Sequence, residues 1–351
     1  MHDAMHDPLP LAGIRVVDLG WLTAGAASST LLLDLGAEVV KVEGPNALDP
    51  FRDWVGAEAA TDWWNRSPFY NFTNRGKRSV CLDLKDPRGA AVLLRILEGA
   101  DVLVENFRRG ILAGFELAPA LLRQRFPRLV IVSISSQGED GPDRDLVSFG
   151  STLEGTSGLA ALTGDAAGEP VITGRNINYP DQVVCLFAAG AVVAALMQRD
   201  ATGEGAHLDL SQRELTSFLL GEELVAAAAG AASTRRGNHD PRDPAQQVVA
   251  RQDGLRAEWS GGSVPVRDAS ALAHAADFTA GTAILRDPQG VPAKGLPFRF
   301  ASNPPRITAG TSGLGADNHA VLAEAGLQEA EIAALEQAGV VATKPRRGPA
   351  A

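Results

Sequence analysis

Cysteine is scarce in this chain. Cys81 and Cys185 are its two cysteines, far apart and without a C-x-x-C partner. That excludes a disulfide framework and a cysteine-built zinc site, no metal site is indicated, and the expected setting is the reducing cytoplasm. Basic charge is short as well: 32 Lys and Arg face 42 Asp and Glu, a formal net charge of −10. A general nucleic-acid binder carries a basic face, so that class is excluded. A few placed cations and backbone N–H groups can still hold phosphate inside an acidic protein. Met1–Pro10 holds His and Asp where a secretory signal has a basic and then an apolar region. The longest apolar run, Val183–Met197, falls short of the roughly 20 residues that cross a bilayer. Val225–Ala232 reads as an alanine-rich helix, so no membrane span is expected. The glycine fingerprint of dinucleotide folds is missing too: the first strand is followed by DLGWLTAGAAS.

What is present alternates between strand and helix. Ile14–Leu19, Glu38–Glu43, Ser79–Leu84, Asp101–Glu105 and Leu129–Ile134 are short apolar runs of strand length. Between them, Ala26–Leu35, Pro87–Glu98 and Pro119–Gln124 have helical spacing, and Asp86 before Pro87 is a helix-start signal. This order implies βαβ units around a parallel sheet, an α/β fold. Residues 136 to 180 are rich in Gly, Pro, Asp and Ser and read as loops around a short helix at Ser151–Leu159. A long apolar helix follows at Asp181–Gln198, then a turn and strand within Thr202–Gln212, then one Ala-rich helix at about Arg213–Ala232. Periodicity is weak from Ser233 to Ala309, and the tail Asn318–Gly339 is helical again.

Several segments, in this order, carry a likeness to a known family: LAGIRVVDLG, LLLDLGAEVVKVEGP, NRGKRSVCLDLKDPRG, ADVLVENFRRG, SQGEDGP, GLAALTGDAAGEPV, AALMQRDATGEGAHLDLS, GLPFRFASNPP and GLGADNH. Together they resemble the class III CoA-transferases, the family of formyl-CoA transferase and carnitine CoA-transferase, with alpha-methylacyl-CoA racemase as a chemical outlier. The resemblance implies a Rossmann-like large domain from residues 1–215 and 306–345, a smaller second domain from 216–305, and two interlocked copies. It implies acyl-CoA and a free carboxylic acid as substrates, with coenzyme A passing through and no permanently bound cofactor. A homodimer is expected, a heteromer with a paralogue being the other possibility.

The same likeness places the catalytic aspartate at Asp181, which ends GRNINYPD. A carboxylate with an ordinary pKa near ~3.9 is ionised at neutral pH and attacks without a separate base. Pro-Asp before an apolar helix is also a good N-cap pattern, and the two roles are compatible because the helix dipole favours a charged carboxylate. Thr23 and Ala24 match a loop lining the active site; taken alone, they are small residues in a tight strand-to-helix turn. Leu82 and Lys85 fall in a CoA-binding stretch, and Asn106, Phe107 and Arg108 in a CoA-contacting loop. Arg109 is equally a solvated basic turn. Asn74, Arg75, Lys77 and Arg78 form a basic cluster suited to a nucleotide, Arg75 being the candidate, or to ion pairs with Glu43, Asp83 or Asp86.

Departures from the family pattern narrow the chemistry. Phe149 stands where the racemases have a histidine, and phenylalanine cannot move a proton, so racemisation ranks third. Gly44 and Gly114 replace arginines that hold CoA in relatives, leaving Arg52, Arg75 or Arg108 as substitutes. Glu154 stands where many relatives have Gln, to assist Asp181 or to cap a helix. Arg235–Gly254 runs almost directly into Trp259–Leu272, so the second domain is expected to be shortened and its glycine-rich lid missing. The expected activity is movement of CoA from a donor acyl-CoA to an acid through an aspartyl anhydride and an aspartyl-CoA thioester. A non-catalytic, partner-dependent CoA-binding subunit is the alternative.

Overall fold

The structure, a computed structural model, describes residues 8–54, 61–173, 178–231, 234–240, 242–279, 283–296, 298, 300, 303 and 306–348. The first seven residues of the Met1–Pro10 stretch and Gly174–Ile177 of the GRNINYPD motif lie outside them. Six strands form one parallel sheet: β1 (Arg15–Asp18), β2 (Glu38–Glu43), β3 (Arg78–Cys81), β4 (Val102–Glu105), β5 (Val130–Ser135) and β6 (His207–Ser211), in the order β3-β2-β1-β4-β5-β6. Their apolar runs are continuous because both faces are covered, as parallel sheets require. Val16, Val39, Val102, Val104, Val130 and Val132 point to one face; Val17, Val40, Val42, Leu103 and Ile131 point to the other.

Each face has its own helices. On the first lie α1 (Leu22–Asp34) and the long α8 (Tyr179–Thr202), while the short α2 (Pro68–Asn74) precedes β3 in the chain. On the second lie α3 (Pro87–Leu97) and the short α4 (Ile111–Gly114) and α5 (Pro119–Arg125). α6 (Gly150–Thr156) and α7 (Leu159–Leu162) precede α8, and α9 (Gln212–Phe218) and α10 (Gly221–Ala228) follow β6. Residues 247–294 build two separate antiparallel sheets, β7 (Gln247–Arg251) with β8 (Gly254–Trp259) and β9 (Gly262–Pro265), and β10 (Ile284–Arg286) with β11 (Pro292–Lys294). α11 (Ala269–His274) and α12 (Ala276–Thr279) lie between those sheets in the chain. The tail returns to the main sheet. α13 (Asn318–Glu324) and α14 (Glu329–Gln337) pack on its second face, and Asn318 Oδ1 accepts the Cys81 N–H at 2.9 Å.

Several boundaries differ from the sequence expectation for local reasons. α1 starts four residues earlier than Ala26, because Thr23, Ala24, Gly25 and Ala26 are all buried and leave no amphipathic signal. The single helix expected over Arg213–Ala232 is two, parted before Gly221, a poor helix former. The tail breaks at Gly326, whose φ of +82° suits glycine. α8 runs 24 residues, long and apolar enough to cross a membrane by length and composition, which corrects the shorter reading of Val183–Met197. Half of that stretch is buried within the fold, the place of a core helix.

Candidate active site at the sheet's switch point

The strand order reverses between β1 and β4, where the chain first builds outward one way and then the other. The crevice beyond the carboxyl ends of two such strands is where open α/β sheets bind ligands. Two of the segments singled out from the sequence meet there. Asn106, just past β4, clasps the Trp21 backbone: its Oδ1 accepts the Trp21 N–H at 2.7 Å and its Nδ2 donates to the Trp21 carbonyl at 3.0 Å. Phe107 stands edge-on to the Trp21 ring at 5.4 Å. Trp21 was not among the sequence candidates, since a tryptophan after a strand carries no motif by itself.

Glycine is needed at the base of this turn. A Cβ on Gly25 would lie 2.5 Å from Asn106 Oδ1, and one on Gly20 would lie 2.6 Å from the Gly25 backbone. Leu22, which opens α1, has a left-handed φ of +56°, a conformation a leucine adopts only under constraint. The constraint is visible: both carboxylate oxygens of buried Asp49 accept the Leu22 N–H, at 3.1 and 3.2 Å. Asp18, at the end of β1, accepts the Gly20 N–H and the Ser29 hydroxyl, both at 2.7 Å. Thr23 and Ala24 then form the first turn of α1, whose N–H donors lack intrahelical acceptors.

Asp181 is in the first turn of α8. It is the third residue of that helix, and Asn178 is the cap, so the N-cap reading of Asp181 is corrected. Pro180 shifts the start forward, being preorganised for the first turn. Four residues on, the Cys185 thiol donates to the Thr23 carbonyl at 3.3 Å. Residues four apart share a helix face, so Asp181 sits on the face of α8 that meets the first turn of α1. The carboxylate is 8% exposed. Gln212 Nε2 donates to one oxygen at 2.5 Å and Asn178 Nδ2 donates to the other. Burial raises the Asp181 pKa to about 6, and the two amide donors restrain the rise. No cation pairs with it among the described residues. The result is a carboxylate ionised at neutral pH, held by neutral donors, and not neutralised.

Other candidates fall elsewhere. Leu82 is buried, with its N–H on the Glu43 carbonyl. Lys85 and Arg108 are exposed and form no ion pair among the described residues. They follow β3 and β4, three strands apart, which is about 14 Å at ~4.8 Å per strand. Arg109 reaches Asp145 at 3.0 Å. Asn74, Arg75 and Lys77 of the basic cluster are turned inward, Arg78 stays half-buried, and the partners are not those expected. Both terminal nitrogens of Arg75 bind Asp34 at 2.8 Å. Lys77 donates to Asp18 at 2.8 Å, and Arg78 pairs with Glu38 and Glu324. Arg52 is fully buried on Glu43, whose carboxyl is held down to about 2 against its desolvation by the Arg52 guanidinium. Glu154 lies inside α6 and takes the Thr173 N–H and hydroxyl, so it neither caps a helix nor touches Asp181. Phe149 is 68% exposed.

Comparison with known proteins adds to this geometry. The sequence model of a family described as CoA-transferase family III matches residues 11–259. The chain is 35% identical over 258 residues to the succinate–glutarate CoA-transferase of Agrobacterium fabrum, covering 73% of this chain and 64% of that one. It is 36% identical over 228 residues to the succinyl-CoA–L-malate CoA-transferase beta subunit of Chloroflexus aurantiacus, covering 64% and 54%. The chain thus spans less than two thirds of the length of these curated relatives. Among solved structures it resembles a CAIB/BAIF family protein from Brucella suis, with a TM-score of 0.83 at 25% identity, over 91% of this chain and 100% of that one.

Proposed function

The chain belongs to CoA-transferase family III, and from that we propose that it moves CoA from a donor acyl-CoA to a free carboxylic acid, with Asp181 as nucleophile. The observation that carries this reading is the buried Asp181 carboxylate, held by two amide donors and, among the described residues, paired with no cation. The carboxylate attacks the thioester carbonyl. The C–S bond breaks, CoA leaves as the thiolate, and Asp181 becomes a mixed anhydride. The thiolate then attacks the Asp181 carbonyl, releasing the donor acid and leaving an aspartyl-CoA thioester. The acceptor carboxylate and the thiolate repeat these steps in reverse, which regenerates Asp181. No proton has to move, which suits a site built from amides.

The N–H donors in the first turn of α1, at Thr23 and Ala24, are the groups we assign to the oxyanion that forms in each step. Lys85 and Arg108 are the free cations assigned to CoA phosphate, and the Asn106–Trp21 clasp with Phe107 forms the floor under its thioester arm. Both curated relatives carry dicarboxylic acids in their names, and short dicarboxylic acids are the acceptor class we assign.

A mass-spectrometric screen of acyl-CoA donors against acceptor acids tests the reading. Hydroxylamine added during turnover should modify Asp181; an active preparation with that residue unmodified sinks the mechanism. The acid side of the profile is a second check. Protonation removes the nucleophile, so kcat/KM should fall about tenfold per pH unit below about 6. A flat profile between pH 5 and 7 contradicts Asp181 as the attacking group.

We also assign a second copy as partner. The outer face of α8 presents Leu186 at 50% and Met197 at 69% exposure, and beyond it Phe218 and Val225 are 68% and 72% exposed. An apolar surface of this kind marks a contact with another chain. Sedimentation of the purified protein should give twice the chain mass. A monomer with transfer activity overturns this part, and activity that appears only with a paralogue favours the subunit reading. A cytoplasmic location completes the proposal, in keeping with two buried free cysteines.

A further inference from the structure

The fold brings one exposed ammonium to the first turn of the helix that carries the proposed nucleophile and, among the described residues, leaves it without a carboxylate. Lys294 ends β11, and its Nζ donates to Gln182 Oε1 at 2.6 Å. Gln182 is the neighbour of Asp181, 112 residues away from Lys294 in the chain. An amide oxygen takes one of three ammonium donors and cancels no charge. Among the described residues, two further cations act near the start of α8, and both are paired and buried: Arg75 with Asp34, Lys77 with Asp18. Lys294 makes no ion pair among the described residues, although it is close enough for its charge to act on Asp34 and on Cys185.

Its placement is supported from below. The buried guanidinium of Arg75 binds Asp34 through two bonds and gives a third, at 2.9 Å, to the Lys294 carbonyl. Two residues on, Leu296 is 1% exposed in the core shared by α1 and α8. So the strand end is pinned to the main sheet's helices while the ammonium stays in solvent. A buried charge pair is costly to assemble, and this one fixes the backbone of an outward-facing lysine.

We infer that Lys294 is the specificity-determining residue of this site, taking the second carboxylate of a short dicarboxylic acid whose first carboxylate reacts at Asp181. This rests on the proposed role of Asp181. The assignment explains how a chain of net charge −10 admits a dianion: a cation at the first turn of α8, unpaired among the described residues, offsets the local repulsion, without pairing with the nucleophile itself.

The test is titration calorimetry of the full-length protein with glutarate and with butyrate, a monoacid of similar length. Lys294→Met and Lys294→Arg are compared with the parent, beside a transfer assay with both acids. The Met variant should bind glutarate about 10- to 100-fold more weakly, the worth of a hydrogen bond to a charged group. The Arg variant should stay within about threefold. In the assay, KM for glutarate should rise with kcat little changed, and turnover of butyrate should be the same in all three proteins. Unaltered glutarate binding by the Met variant overturns the assignment. So does a parent that binds butyrate as well as glutarate, or that binds no glutarate. A parent that binds glutarate through Lys294 but transfers no CoA overturns the role of Asp181 and leaves Lys294 standing as a diacid site. Unfolding of the Met variant is read from its thermal midpoint, and the Arg variant then decides through the loss or retention of the glutarate preference.

Discussion

Asp181→Asn will lose CoA transfer by at least about 10⁴-fold, the loss expected when a covalent nucleophile is removed, and at pH 7 it will be no less stable than the parent. The two halves of this result come from one cause. Burial raises the Asp181 carboxyl from 3.8 to about 6, so the folded chain binds that proton more tightly than the unfolded chain does. A raised carboxyl favours the folded state at low pH, and that contribution is lost as pH rises through about 6. Holding the charge at neutral pH therefore costs on the order of 3 kcal/mol. Asparagine has nearly the same shape and no charge to hold. Its amide does present a second donor to the Gln212 and Asn178 donors, but either of those amides can turn over and offer its oxygen. The thermal midpoint at pH 7 should be equal to the parent's or up to about 5 °C higher, at roughly 2 °C per kcal/mol for a chain of this size. The difference should vanish at pH 4, where the parent is also largely neutral. A variant that is inactive because it is unfolded, or that is destabilised at pH 7, removes the argument that Asp181 is strained for chemistry. A variant that still transfers CoA removes the nucleophile.

The fold was legible where apolar runs carried it. EVVKVE and LVIVSI are buried on both sides, so they read as strands without alternation. The start of α1 was not legible, because a first turn buried all round has no polar face to mark it. Asp181 stood out through a family likeness, yet its setting did not. Gln212, which binds it, is 31 residues away in the chain, and Lys294 is 112 residues from Gln182. No spacing rule reaches that far. The basic cluster at Asn74–Arg78 shows the opposite failure. Locally it is a reversal of charge that suits a phosphate. Its true counter-charges, Asp34 and Asp18, lie 41 and 59 residues earlier and arrive only when α1 folds onto β1. Weak periodicity between Ser233 and Ala309 likewise concealed two small antiparallel sheets, whose strands are too exposed to show an apolar stripe.

Gly150→Ala should move the acid limb of the activity profile upward by about 1–2 pH units while leaving the fold intact. Gly150 opens α6 with an ordinary backbone, so alanine brings no conformational strain and is the better helix former. The space is the difficulty. A Cβ at this position would lie 1.6 Å from Asn178 Oδ1 and 2.8 Å from its Cγ. The amide must swing away, which is cheap for the fold because the clashing atoms are the end of a side chain. It is not cheap for the site, since the Nδ2 of that amide is the donor on Asp181. A hydrogen bond to a charged group is worth about 1.5–3 kcal/mol. Losing it destabilises the ionised form and raises a pKa already at about 6 to about 7–8. At pH 6 the ionised fraction, and with it kcat/KM, should drop about five- to fiftyfold; at pH 9 the deficit should shrink to under about twofold. Recovery at high pH separates a lost hydrogen bond from a lost structure. A deficit that is the same from pH 6 to pH 9 means that Gly150 serves only packing, and no deficit at pH 6 means that Asn178 does not hold the nucleophile.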